Sequence, residues 1–127
     1  PEQGVVGVAH AGRAGLRAGI VPAVVAAMRR LGATGLVARV GPSICGRCYE
    51  VPARMCEDVS AAIPQARSVT ARGTPGLDIA AGACAQLETA GVAVRRVAGC
   101  TAEDARWYSY RRDGTTGRFA GLAWRRP

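Results

Sequence analysis

The chain has 127 residues, 49% of them hydrophobic, with 17 glycines and few aromatics, which sets aside a disordered tail and leaves room for one domain with a real core. Its net charge of +8 comes from 17 basic residues against 9 acidic ones, and every basic residue is arginine. The arginines stand in scattered pairs (Arg29-Arg30, Arg95-Arg96, Arg111-Arg112, Arg125-Arg126) with no aromatic-laced stripe, and no apolar run reaches membrane-spanning length, so neither nucleic acid nor a membrane is expected as a partner.

Arginine suits bidentate contact with phosphate or carboxylate, so an anionic ligand fits this composition. Five cysteines (Cys45, Cys48, Cys56, Cys84, Cys100) form an odd set with no secretory signal ahead of them. They read as reduced thiols of a cytoplasmic protein. Cys45-Gly46-Arg47-Cys48 has the spacing of a redox pair or half a zinc site. A full tetrahedral site needs a second ligand pair of similar spacing, and none is expected.

In chain order, Val5-Val6-Gly7-Val8 predicts a buried strand that ends at His10, the one histidine, before glycines that permit a tight turn. Strand ends are where α/β folds present chemistry, and imidazole is both a zinc ligand and a proton-transfer group. A hydrogen-bonded structural histidine fits the same local pattern. A helix follows from Leu16 to Leu31 with Ile20, Val24, Met28 and Leu31 on one face, ended by Gly32. Gly35 to Val40 is a second strand, and strand, helix and strand in that order suggest a crossover packed on a sheet.

The loop Gly41 to Val51 then leaves the strand where it can converge with the His10 turn. A short helix is expected from Pro52 to Ala62, a strand from Arg67 to Arg72, and a helix carrying Leu77, Ala80, Cys84 and Leu87 on one face and closed by Gly91. Val92 to Ala98 is another strand. Thr101 is a candidate N-cap, with Asp104 three places on. Trp107 to Tyr110 and Phe119 to Trp124, around Asp113-Gly114, predict a closing β-hairpin. The expected fold class is therefore α/β (α+β): a mixed sheet with flanking helices and a C-terminal hairpin, all in one domain spanning 1-127.

Three stretches together carry a resemblance: His10-Ala11-Gly12-Arg13-Ala14-Gly15; Gly41-Pro42-Ser43-Ile44 running to Cys48-Tyr49-Glu50-Val51; and Cys100-Thr101 with Tyr108-Ser109-Tyr110-Arg111-Arg112-Asp113-Gly114 and Thr116-Gly117-Arg118. In this order they resemble the C-terminal part of the laccase-domain purine nucleoside phosphorylases, long described as multicopper polyphenol oxidases. The resemblance implies a layered sandwich and a cytoplasmic zinc enzyme that splits purine nucleosides with phosphate as co-substrate and deaminates adenosine. It also implies one zinc held by two histidines and a cysteine. His10 matches the second of those histidines, and the other two ligands lie upstream of what this chain contains. The chain thus reads as the C-terminal portion of a longer domain.

Carried over residue by residue, the resemblance assigns His10 to the metal, Cys100 and Arg111 to catalysis, and Arg13, Cys48 and Tyr110 to substrate binding. The family's Trp-Arg between the glycines is Arg13-Ala14 here, so the arginine stands one position early. A single histidine sets aside a multicopper site, which needs many imidazoles. Glu50 and Asp104 are candidate proton-transfer groups, against a capping or solvated role. Two readings from other classes stand beside the enzyme: a non-catalytic remnant or interaction domain of the same fold, and a thiol redox module built on Cys45 and Cys48.

Overall fold

The computed structural model describes residues 4–125; Pro1 to Gln3 and Arg126-Pro127, with the last arginine pair's second member, lie outside the described residues. Ten elements follow one another: α1 (Arg13–Arg17), α2 (Ile20–Arg30), β1 (Val37–Val40), α3 (Ala53–Ala62), a 3-10 turn (Pro64–Ala66), β2 (Arg67–Val69), β3 (Pro75–Leu77), α4 (Ile79–Thr89), β4 (Ala93–Arg96) and α5 (Tyr110–Asp113). The fold is α/β, with small sheets flanked by helices.

β1 and β4 pair in parallel, Val37 opposite Ala93 through Val40 opposite Arg96. Parallel neighbours need a long crossover, and α3, β2, β3 and α4 supply it. β2 and β3 form the antiparallel hairpin, turning where Gly73 takes a φ of 78°. Beneath these sheets Leu16, Val21, Val59, Ile63, Leu77 and Ile79 build the core from α1, α2, α3 and the α4 junction.

The expected long helix is two helices. Gly19 enters the left-handed region at φ 82°, a conformation cheap only for glycine, and separates α1 from α2. The break turns Val21 and Val25 inward and leaves Leu31 73% exposed, so the buried face lies one residue from the expected one. Pro22 falls in the first turn of α2, where its missing N–H costs nothing. α4 is capped as its sequence allows: the Asp78 carboxylate accepts the Ala81 N–H at 2.8 Å, and Gly91 at φ 69° closes the far end.

Three expectations are corrected. Val5 to Val8 is irregular, because no neighbouring ladder takes up its backbone groups among the described residues. The strand expected to Arg72 stops at Val69, since the Thr70 and Thr74 hydroxyls bond each other at 2.6 Å and turn the chain into β3. The C-terminal hairpin is absent among the described residues. Ser109 caps a helical turn by accepting the Arg112 N–H at 3.4 Å, and the Arg112 guanidinium takes up the Thr101, Asp104 and Trp107 carbonyls. Helix capping and those carbonyl bonds outweigh the alternating pattern that suggested a strand.

Candidate functional site

The parallel pair continues past its last regular residue. Ser43 bridges Cys100, and the Thr101 N–H reaches the Ser43 carbonyl at 3.1 Å. The loops that leave the C-terminal ends of β1 and β4 are therefore held side by side, where open α/β sheets hold ligands. Each loop makes a turn of the same span. The Cys48 N–H bonds the Cys45 carbonyl at 3.0 Å, and the Glu103 N–H bonds the Cys100 carbonyl at 3.1 Å. Each turn presents the side chains at its two ends together.

As a result, the ligand atoms of Cys45, Cys48, Cys100 and Glu103 all lie within 4.8 Å of one another and could bind one metal ion. Cys48 was expected to bind substrate and Cys100 to act in catalysis. Cys45 was noted for its spacing, and Glu103 was missed, although Cys100-Thr101-Ala102-Glu103 repeats the three-residue step of Cys45 to Cys48. That repeat is the second pair a tetrahedral site needs, hidden because one of its members is a carboxylate.

The cluster is tightly bonded. The Cys45 N–H donates to Cys100 Sγ at 3.2 Å, the Cys48 thiol donates to Glu103 Oε1 at 3.5 Å, and Arg47 reaches the same oxygen at 3.2 Å. Burial, with bonds to Cys45, Cys100 and Glu103, pushes the Cys48 thiol up to about 12. Burial also raises Cys100, but hydrogen bonds from Cys45 and from the Ala102 and Glu103 N–H groups outweigh it and hold this thiol below its usual range. The two thiols are thus pushed apart, Cys48 towards keeping its proton and Cys100 towards releasing it. Gly46 makes the turn possible, because any side chain there would overlap that of Ser68 and crowd the Asp78 Cβ.

Around the cluster, Arg111 lies with Cζ 4.8 Å from the centre of the Tyr49 ring and donates to the Glu50 carbonyl at 3.0 Å. Its neighbour Arg112 turns the other way, into the 101–107 loop. Only Arg111 of the two arginines thus faces the loop after β1. Tyr110 is 72% exposed. Arg13 and Arg54 line an open groove with Pro52, Met55 and Asp58. Ser43 Oγ and Trp107 Nε1 are buried without a hydrogen-bond partner among the described residues.

The two carboxylates considered for proton transfer are held as anions. Arg72 bonds Glu50 and lowers it, and Arg106 holds Asp104 at about 2. A carboxylate tied to a guanidinium is a weak base near neutral pH. His10 is exposed and is not among the side chains that gather. Its Nε2 stands 2.9 Å from where a Cβ on Gly12 would be, so the glycine makes room for the ring. One imidazole fits one corner of a metal site and no more.

These features define an α/β chain with a ligand-competent cluster at the ends of parallel strands. The sequence matches the family described as multi-copper polyphenol oxidoreductase laccase over residues 1–126, and the chain belongs to that family. It is 55% identical to a purine nucleoside phosphorylase of Streptomyces coelicolor over 127 residues, which is 98% of this chain and 52% of that protein. A purine nucleoside phosphorylase of Mycobacterium tuberculosis is 46% identical over 95% of this chain and 50% of its own length. One of Pseudomonas aeruginosa is 41% identical over 94% and 51%. The chain thus spans about half the length of these relatives. No solved structure matches it significantly.

Proposed function

We propose that the chain is the C-terminal portion of a laccase-type domain that acts as a zinc-dependent purine nucleoside phosphorylase and deaminates adenosine. The observation that carries this reading is the 55% identity to a protein of that name, extending over nearly the whole chain. Phosphorolysis joins a phosphate oxygen to ribose C1′ as the bond from C1′ to the purine nitrogen breaks, and the base leaves with the electron pair and takes up a proton. Guanidinium groups suit both demands, holding phosphate and offsetting the developing charge.

Arg13 and Arg54 face one groove, two guanidinium groups for one phosphate. Arg111 is fixed on the Tyr49 ring and on the carbonyl of Glu50, which stands two residues before Pro52 at the rim of that groove, and it acts on the reacting centre. Tyr110 offers an exposed ring for the purine. His10 supplies one zinc ligand, the others coming from residues outside this chain. Zinc, when bound, supplies Lewis-acid chemistry for deamination.

The test is phosphate-dependent release of free base from inosine or adenosine, and of inosine from adenosine. Arg111→Ala is expected to lower kcat/KM about 10- to 100-fold, the loss of a charged hydrogen bond. Full activity in His10→Ala would remove zinc from the reading. The second reading, a non-catalytic domain of this fold, is favoured by one observation, that His10 belongs to no group of three or more ligating side chains among the described residues. A folded protein that releases no base with phosphate present would establish it.

A further inference from the structure

We infer that Cys45, Cys48, Cys100 and Glu103 form a structural site for a borderline-soft divalent cation of the zinc class, separate from His10 and closed to substrate. Two residues expected to act on substrate, Cys48 and Cys100, are thereby reassigned to holding the fold together.

Geometry carries the inference. A Zn–S bond of about 2.3 Å sets tetrahedral sulfur–sulfur edges of about 3.8 Å. The four ligand atoms already lie within 4.8 Å of one another, so each needs only a small inward shift. They come from two turns of equal span on two different loops, Cys45 to Cys48 and Cys100 to Glu103, which is the paired arrangement of structural zinc sites. The loops are preset without an ion, because the Ser43–Cys100 bridge joins them and Gly46 is packed against Ser68 and Asp78.

Supporting bonds of the kind that orient metal ligands are also in place. The Cys45 N–H donates to Cys100 Sγ at 3.2 Å, and Arg47 grips Glu103 at 3.2 Å. Three thiolates and a carboxylate around a dication leave a charge of −2, which Arg47 partly offsets. Three sulfurs select against magnesium and calcium, and the four-ligand set leaves no open position for a reacting water. A Cys45–Cys48 disulfide would use two members of the cluster and give Cys100 and Glu103 no part in it.

Cobalt is the probe. The chain, purified under reductant and stripped with a chelator, is titrated with Co2+ alone and then with Zn2+. The expected result is one cobalt per chain, with intense near-ultraviolet thiolate-to-cobalt absorption and the visible bands of a tetrahedral centre, bleached as zinc displaces it. Cys48→Ser, at a half-buried position, and Glu103→Gln, at an exposed one, are each expected to weaken cobalt binding by at least about 100-fold, beyond what loss of a supporting contact costs. His10→Ala and Cys84→Ser are expected to leave the spectrum unchanged. A folded wild-type chain without the thiolate band would overturn the proposal, as would a band that survives in Cys48→Ser. Loss of the band in His10→Ala would move the ion to the histidine and sink it equally. Because no readout is catalytic, failure here leaves the phosphorylase reading standing.

Discussion

Arg112 shows what a single side chain decides in this molecule. Its guanidinium bonds the Thr101, Asp104 and Trp107 carbonyls and both oxygens of Asp113, so one residue fastens the loop after β4 to α5. Asp113 is lowered chiefly by its hydrogen bond to Arg112. A carboxylate lowered in the folded state adds stability above its unfolded pKa of about 3.9 and loses it as pH falls through the folded value. Asp113→Asn is therefore expected to have a lower Tm than wild type at pH 6, with the gap closing towards pH 2. Thermal melts across that range check it, and a gap that persists at pH 2 would assign the effect to something other than the ion pair. Spacing along the chain indicated the Cys45–Cys48 pair and the resemblance pointed to Cys100 and Arg111, but nothing indicated Glu103. Carboxylates are common on surfaces, and only folding shows which one meets three thiols.

Among the elements, α4 is constrained by its closest contact. A Cβ on Gly82 would stand 2.9 Å from Leu16 Cδ2, 3.0 Å from Ala66 Cβ and 3.2 Å from Ile63 Cγ2. Alanine in a helix gains up to about 1 kcal/mol in propensity, whereas overpacking a core costs about 1–3 kcal/mol. Ala66 Cβ has no rotamer by which to withdraw, so Gly82→Ala is expected to destabilise the chain by about 1–2 kcal/mol, read as a lower denaturant midpoint. A midpoint at or above wild type would show that α4 can move away from α1. The elements that could be read from sequence were those with local causes: α3, α4 with its Gly91 stop, and strands at β1 and β4. The C-terminal hairpin failed because Trp107 to Tyr110 alternates as a strand does while Ser109 and Arg112 together make a helix cap, and alternation says nothing about where carbonyls find partners.

At the scale of the molecule, the β1–β4 pair is two strands wide and poorly covered. Val37 is 67% exposed and Val97, just past β4, 39%, and elsewhere Val8, Leu122 and Trp124 are 66%, 82% and 71% exposed. Exposed apolar side chains on an unpaired sheet edge favour association. The 127-residue chain alone is expected to self-associate as its concentration rises, and light scattering over a dilution series measures it. A mass that stays monomeric throughout would mean that these side chains find cover within the chain.

The bond between Cys45 and Cys100 joins residues 55 positions apart, with the β2–β3 hairpin and two helices in between. Local pieces close first in folding, and contacts across long loops close late. The order of events along the chain follows from that span. α3, the hairpin and α4 take shape while the two cysteine-bearing loops are still strangers, and the four-residue cluster is among the late arrivals. Newly made chains accordingly pass through a stage in which their thiols are open to oxidation and to stray metals.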